Sequence, residues 1–198
     1  MQSWGTQSRF RDRDAGLEPS KSGVIGLLCA ALGRERWLPV DDLAALRMGV
    51  RVDRPGAMLL DYHTAMKTEG GKMAVISPRY YLSGASFLVG MEGNREILQD
   101  LNRALARPRW QLFLGRKAFV PSLPLHLPEE PPLGPGLRES SLEDALEGYP
   151  APGDGSHRLR FVMEDRAGAE LRMDTPLSFA ERRFATRTVR TDWKEVSA

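Results

Sequence analysis

The longest apolar stretch of the chain covers residues 24–32, where a single glycine interrupts valine, isoleucine, leucine, cysteine and alanine. A helix that is apolar on every side is buried in a protein core. Ser20 or Ser22 can cap its start, because a hydroxyl there accepts a hydrogen bond from a free backbone N–H, and a following glycine can end it. The pattern predicts a buried helix over about 22–33, whose N-terminus faces a surface strip that contains Lys21.

Amphipathic and alternating stretches predict the remaining elements of an α+β protein. Residues 41–48 predict a short second helix, and Asn94 caps a third whose apolar residues share one face. Extended segments are predicted at residues 50–53, 57–66, 73–83, 86–90 and 110–114. The order helix, strand, hairpin, strand, helix, strand resembles a ferredoxin-like β-α-β-β-α-β unit, whose sheet is a common RNA-binding surface.

Residues 57–83 predict a β-hairpin that protrudes from the body. Two glycines between its arms favour a turn, and Pro78 in the second arm is tolerated only at an edge or in a projecting strand. The polar tip carries Lys67 and Lys72, and the base carries Arg79, Tyr80 and Tyr81.

The second part of the chain divides into a connector and a group of strands. Residues 121–155 contain eight of the fourteen prolines, and residues 140–143 predict a capping box for one short helix there. Residues 157–163 and 169–173 predict a hairpin joined by a turn at 165–168. We therefore expect a ferredoxin-like domain over 1–120, a proline-rich connector over 121–155, and C-terminal strands over 156–198 that pack on the same body.

Composition bounds the function classes. A chain of 198 residues without an apolar run of bilayer length suits a cytoplasmic protein that has no membrane partner, and a single cysteine excludes a disulfide framework. The net charge of +2 conceals +6 over residues 1–120 and −4 over 121–198. Arginine supplies 23 of the 28 cations, which suits a polyanionic partner. Codon bias or thermal adaptation explains the same arginine content equally well.

Candidate enzyme chemistries find little support in the residue patterns. In the order Lys21-Ser22-Gly23 the glycine comes after the lysine rather than directly before it, so no phosphate-binding loop of the nucleotide type can form. The three histidines have no partner at metal-ligand spacing, and we expect neither a metal nor another cofactor. Metal-independent RNA cleavage stays open as an alternative, because His63, Tyr62, Tyr80, Tyr81 and Lys117 could supply an acid, a base and a cation.

Several ordered motifs resemble one CRISPR-associated RAMP family, the CasD-type subunits of type I-E Cascade complexes. They cover nearly the whole chain apart from 121–155 and occupy residues 1–5, 19–28, 61–65, 79–82, 87–90, 114–117 and 176–179, together with Arg183, Phe184 and Arg187. The resemblance implies a ferredoxin-like RAMP fold with a hairpin thumb. It also implies a non-catalytic subunit that grips the 5′ handle of a CRISPR RNA (crRNA) and packs against the backbone and large subunits of Cascade.

The same resemblance implies that target DNA is contacted only indirectly. In a related CRISPR type the equivalent protein cuts the precursor RNA, whereas in type I-E a separate endoribonuclease does so. The family also has an apolar strand before the Gln-Ser-Trp-Gly motif, and this chain starts directly at that motif. We therefore expect the first strand of the fold to be absent and the sheet to be less stable for it.

The expected RNA path runs between the start of the first helix and the hairpin. Ser20, Lys21, Ser22 and Gly23 would offer hydroxyls, backbone N–H groups and an ammonium to phosphates. Gln2 and Trp4 would contact or stack on handle bases. The remaining expected RNA contacts are cations and one aromatic residue, namely Lys67, Lys72, Arg79, Tyr80, Arg116 and Lys117.

Overall fold

The computed structural model describes residues 1–5, 14–66, 74–131 and 133–197 of the chain. Within those ranges it contains four helices and seven strands, in the order α1 (Lys21–Leu32), α2 (Asp41–Ala44), β1 (Arg47–Arg54), β2 (Ala57–Met66), β3 (Ala74–Ser83), β4 (Ser86–Glu92), α3 (Arg95–Ala106), α4 (Leu142–Glu147), β5 (Ser156–Glu164), β6 (Glu170–Ser178) and β7 (Arg183–Ser197). No helix in the described ranges is long and apolar enough to cross a bilayer. The predicted α+β class is confirmed.

Helix α1 forms where the apolar run predicts it. The Ser20 hydroxyl accepts a hydrogen bond from the Gly23 N–H, and Gly33 ends the helix with a positive φ of 70°. Ile25 and Leu28 lie in a core cluster with Met48 of β1. The helix is not buried on every side, because its outer face, which includes Gly26, Leu27 and Ala30, is only half-buried.

Five antiparallel strands form the central sheet in the order β4-β1-β5-β7-β6. One core cluster combines α1, α2 and α3 with alternate residues of β1 and β4. A second cluster joins α4 to Leu159, Phe161 and Met163 of β5, which the sequence pattern places on one face of that strand. The sheet is therefore covered by helices on both faces where β1 crosses it.

The pairing of the C-terminal strands differs from the prediction. A turn does form at the expected place, where the Gly168 N–H donates to the Asp165 carbonyl at 3.0 Å. However, β5 and β6 are not neighbours, because β7 lies between them and pairs with both. At 15 residues, β7 is long enough to bond β5 through its C-terminal half and β6 through its N-terminal half. The C-terminal hairpin of the fold is therefore β6–β7.

The predicted strand at 110–114 is wrong, because this segment is not a strand in the structure. Its backbone runs beside α1 instead, and the N–H groups of Arg109 and Trp110 donate to the carbonyls of Ala31 and Ala30 at 2.9 and 3.2 Å. The last carbonyls of a helix lack partners within it, so they compete for these donors. No strand precedes β1 in the described residues beyond an isolated bridge at Gln2, and β4 is an edge strand of the sheet.

The predicted hairpin is confirmed as a separate two-stranded sheet formed by β2 and β3. Residues opposite each other share a face, so one face carries Asp61, His63 and Arg79, and the other carries Tyr62 and Tyr80. The predicted lysine positions of its tip, Lys67 and Lys72, lie outside the described residues, as does the arginine-rich segment 9–13.

Helix boundaries show how tertiary packing adjusts local signals. Helix α2 ends at Ala44 rather than near 48, because the chain there turns into β1, where Met48 and the preceding Leu46 are buried in the core. Helix α3 begins as predicted, with the Asn94 side chain accepting hydrogen bonds from two backbone N–H groups. The cap of α4 lies one residue later than predicted, between Ser141 and the Asp144 N–H.

Candidate functional site

Three segments that are distant in sequence meet at the base of the hairpin. The backbone of Gln2 exchanges two hydrogen bonds with Leu82, at 2.9 and 2.8 Å. The Ser3 N–H donates to the Leu114 carbonyl at 3.1 Å, and the Ser3 hydroxyl donates to the Tyr80 carbonyl at 3.3 Å. We call this meeting of residues 2–4, 80–85 and 114–119 the hairpin junction.

Gln2 and Trp4 hold the hairpin junction together rather than face solvent. The Trp4 indole N–H donates to the Gln2 side-chain oxygen at 2.9 Å, and the Gln2 amide nitrogen donates to the Ala85 carbonyl at 2.9 Å. Only 4% of Trp4 is exposed. The expectation that Trp4 stacks on a base is therefore wrong for this conformation, since its ring is covered by α1.

Lys21 is buried, which corrects the expectation of an exposed phosphate ligand. Its exposed fraction is 1%, and its ammonium donates to both oxygens of Glu164 at 3.0 and 2.9 Å. The Lys21 backbone N–H donates to Asp174 at 2.7 Å, and the same carboxylate accepts two bonds from Arg187. A buried ammonium needs a counter-charge, and this network of four charges supplies it.

The N–H groups at the start of α1 are mostly occupied as well. Those of Lys21, Gly23 and Val24 donate to Asp174, the Ser20 hydroxyl and the Ser20 carbonyl respectively. Ser20 is buried and acts as the helix cap. Among the described hydrogen bonds none involves the Ser22 N–H. Of the four residues expected to bind phosphates at the start of α1, Ser22 is therefore the one whose backbone donor is still available.

The loop after residue 114 brings two of the expected cations to the hairpin junction. Arg116 donates to the Tyr80 carbonyl at 3.0 Å and lies 5.6 Å from the Phe119 ring centroid. Lys117 is exposed and forms no ion pair with a described residue. Gly115 has a φ of 85°, and a Cβ there would meet the Ser3 carbonyl oxygen, so only glycine allows this loop to approach residues 2–4.

The hairpin divides the candidate residues for RNA cleavage between its two faces, with Tyr81 on the face of His63. His63 lies 3.8 Å from Asp61 and shares its face with Arg79, whereas Tyr62 and Tyr80 point from the opposite face. The buried Nε of Arg79 makes no hydrogen bond in the described part of the protein. No cluster of three or more potential metal ligands occurs among the described residues.

A groove that the sequence did not predict runs along the outer face of α1. Its volume is about 670 Å³, and Trp110, Phe113 and Phe179 form its aromatic sides. Cys29 contributes to its floor, and burial raises the pKa of that thiol to about 11. The groove lies between α1 and the 110–114 segment, which the sequence predicted as a strand. It could have been located only by knowing that this segment runs beside α1.

The comparisons with known proteins agree with this architecture. The family model described as CRISPR-associated protein (Cas_Cas5) matches residues 1–190. The Cascade subunit CasD of the CRISPR system of Escherichia coli strain K12 is 28% identical to this chain over an alignment of 216 positions, and the match covers 93% of this chain and 90% of that protein.

Two solved structures share the fold over nearly the whole chain. A chain described as a crystal structure of a Cas protein has a TM-score of 0.81 and 50% identity, and the match covers 97% of this chain and 89% of that one. A chain of a CRISPR RNA-guided surveillance complex has a TM-score of 0.80 and 34% identity, with 100% and 87% covered. The predicted ferredoxin-like RAMP fold is thereby confirmed, and the chain belongs to the Cas5 family of CRISPR-associated proteins.

Proposed function

We propose that this protein is a non-catalytic subunit of a Cascade-type CRISPR surveillance complex and holds the 5′ handle of the crRNA. The observation that carries the proposal is the hairpin of β2 and β3, which bonds internally as a sheet of its own and is fixed at its base by the hairpin junction. Family membership supports it, because relatives include a Cascade subunit and a chain of an RNA-guided complex.

The proposed RNA path runs between the hairpin and the loop that carries Arg116 and Lys117. Lys117 has no acidic partner in the described part of the chain, so it offers an uncompensated charge to a phosphate. Tyr80 is 41% exposed and offers a face for stacking. Arg79 would contact the RNA from the opposite face of the hairpin. Ser22 would offer its hydroxyl and its backbone N–H at the start of α1.

The remaining expected contacts take different roles in this proposal. Lys67 and Lys72 at the hairpin tip stay proposed RNA ligands. Lys21 and Ser20 instead fix the start of α1, and Gln2, Trp4 and Gly23 fix the hairpin junction, because their polar groups or surfaces are occupied within the protein. We further propose that the partners are the backbone and large subunits of the complex, with target DNA contacted only through them, in the cytoplasm.

The test is the salt dependence of binding to a synthetic single-stranded RNA with the repeat-derived 5′ handle of the same locus. Lys117→Ala should flatten the slope of log affinity against log salt by about one. Lys194→Ala is the matched control, because Lys194 is a partly exposed lysine that pairs with Glu147, the last residue of α4. Equal slopes for Lys117→Ala and the unmodified protein would contradict the proposed path.

Two rival functions give different outcomes. Incubation with full repeat RNA in EDTA should leave the RNA intact, and cleavage at a defined position that His63→Ala abolishes would establish an endoribonuclease instead.

Exchange of the handle sequence should weaken binding. Unchanged affinity after that exchange would indicate a scaffold whose RNA contact is incidental.

A further inference from the structure

The groove on the outer face of α1 has the dimensions of a ligand site. Its floor follows the helix from Ser22 to Ala30, roughly 12 Å at 1.5 Å per residue. Trp110 and Phe113 line one side and Phe179 another. The volume of about 670 Å³ falls within the roughly 300–1,000 Å³ that is usual for pockets that hold small molecules or single groups of larger ones.

The floor is smooth over most of its length, because every α1 residue that lines it except Leu27 is small. A Cβ added to Gly26 would find only the Phe179 ring within 4 Å, at 3.8 Å. Trp110 is 43% exposed, so part of its ring surface is open to a ligand. An open aromatic side chain beside a smooth floor suits a flat ring better than a bulky side chain of irregular shape.

The charges around the groove have one sign. Among the residues that the structure describes, Arg34, Arg36 and Lys117 line it and no carboxylate does. The charge of Arg34 is compensated by Asp42, which accepts two hydrogen bonds from it. Arg36 and Lys117 form no ion pair with a described residue; Arg36 donates only to the Phe179 carbonyl. The groove therefore presents two uncompensated cations, which favours a polyanion over a peptide.

We propose that this groove holds an unstacked base of the bound single-stranded RNA, with the base against Trp110 and the flanking phosphates near Lys117 and Arg36. The inference rests on the proposed RNA-binding function and adds a base site that lies apart from the hairpin. Gln111 lines the groove and carries an amide that can both donate to and accept from a base edge. The site recognises a nucleobase, and its aromatic contact alone tolerates any base.

The experiment is a double-mutant cycle between protein and RNA. Affinity is measured for the handle RNA and for a series in which each handle nucleotide in turn is abasic. Trp110→Ala should weaken binding of the intact RNA by roughly 5- to 100-fold, the usual loss for one stacked base. One abasic position should show the same loss with the unmodified protein and no further loss with Trp110→Ala.

Trp37→Ala is the matched control, because Trp37 is 70% exposed on the loop that follows α1 and does not line the groove. It should bind all RNAs like the unmodified protein. Gly26→Leu is a second variant, which fills the groove without removing a contact and should reproduce the loss at the same abasic position. It keeps the test decisive where Trp110→Ala folds poorly.

The possible outcomes distinguish the proposed base site from the proposed binding of the 5′ handle. Handle-specific binding with additive effects of Trp110→Ala and every abasic position would overturn the base site and leave RNA binding intact. Unchanged RNA affinity with weakened assembly of partner subunits would show that a protein segment occupies the groove, which also overturns it. No binding of the handle RNA at all would overturn both proposals.

Discussion

The ring of Trp4 covers Gly23 so closely that a Cβ at position 23 would lie 2.8 Å from the Trp4 Cε3 atom. The same indole donates its N–H to Gln2, which is bonded to both Leu82 and Ala85 near the base of the hairpin. Gly23 therefore allows the first turn of α1 and the base of the hairpin to approach each other. The close approach that the sequence suggested for a phosphate is made by a tryptophan.

This contact predicts that Gly23→Ala destabilises the protein. The added methyl group meets the Trp4 ring and the Ser20 oxygen at 2.8–3.0 Å, and overpacking of this kind costs about 1–3 kcal/mol. Each kcal/mol lowers Tm by roughly 2–4 °C in a chain of this size. Thermal unfolding followed by circular dichroism measures the change.

Gly26→Ala provides the matched control, because it makes the same substitution one turn later in α1. A Cβ there has ordinary contact only with Phe179 at 3.8 Å, and alanine in a helix interior gains about 0.5–1 kcal/mol over glycine. We expect the two variants to shift Tm in opposite directions. Equal shifts would mean that Trp4 does not restrict position 23.

The buried pair of Lys21 and Glu164 predicts unequal effects of removing its two members. Glu164→Ala leaves the Lys21 ammonium without its carboxylate where the Lys21 side chain is only 2% exposed, and stranding a buried charge costs about 3–5 kcal/mol. Lys21→Met should cost less, because Glu164 still accepts from the Met48 N–H. Urea unfolding measures both.

A surface pair serves as the control for that comparison. Glu181 and Arg183 form an ion pair in which both side chains are more than 60% exposed, so Glu181→Ala should change stability by less than about 1 kcal/mol. Lys21→Met should also leave the salt slope of RNA binding unchanged, because its charge is satisfied internally. A flatter salt slope for Lys21→Met would show that Lys21 contacts an RNA phosphate after all.

Local signals made part of this fold predictable. The bounds of α1, the hairpin and α3 follow from caps, glycines and apolar spacing, all of which act within a few residues. The place of β7 between β5 and β6 and the absence of a strand at 110–114 depend on which distant backbone groups compete for each bond. The pattern of apolar and polar residues along the sequence does not show which of these distant groups will pair.

The candidate site divides in the same way. The sequence placed Arg116 and Lys117 in an accessible loop, because glycine and charged residues mark such loops. It misplaced Lys21, since nothing near position 21 reveals that Glu164 and Asp174 approach it from the other end of the chain. It missed the groove for the same reason, because its walls come from α1, the 110–117 segment and the β6–β7 turn.

Arg51 anchors the end of the proline-rich connector to the sheet. The side chain is fully buried and donates to Asp53 at 2.7 Å and to the carbonyls of Leu146, Tyr149 and Pro150 at 2.8, 2.5 and 3.0 Å. An ammonium has fewer donors and no fork, so a lysine cannot satisfy all four acceptors. Burial also raises the pKa of the Asp53 carboxyl against the opposing effect of Arg51.

We therefore expect Arg51→Lys to loosen the connector more than the sheet. Arg138 is the only trypsin site between residues 121 and 155, so cleavage after Arg138 reports on this segment. The variant should be cut there several-fold faster than the unmodified protein at a temperature where far-UV circular dichroism is unchanged. Arg183→Lys, at an exposed arginine, is the control, and the same cleavage rate in both variants would contradict the anchoring role.

Cys29 predicts how stability depends on pH in the alkaline range. Burial in α1 raises the pKa of its thiol from 9.0 to about 11, because the thiolate is poorly solvated there, and the nearby Arg34 offsets only part of this. Well below pH 9 the thiol is neutral in both the folded and the unfolded state and contributes no pH dependence. Between pH 9 and about 11 the unfolded chain ionises first, so stability falls by up to roughly 3 kcal/mol.

The contribution of Cys29 is isolated by comparison with Cys29→Ala, because other groups titrate in the same range in both proteins. The difference in unfolding free energy between the two should be constant well below pH 9 and should then move in favour of the variant, by up to about 3 kcal/mol once the pH exceeds 11. Native Cys29 should also resist iodoacetamide at pH 8, where its thiolate fraction is very small. Rapid alkylation of the folded protein at that pH would show that the thiol is accessible and that its pKa is not raised.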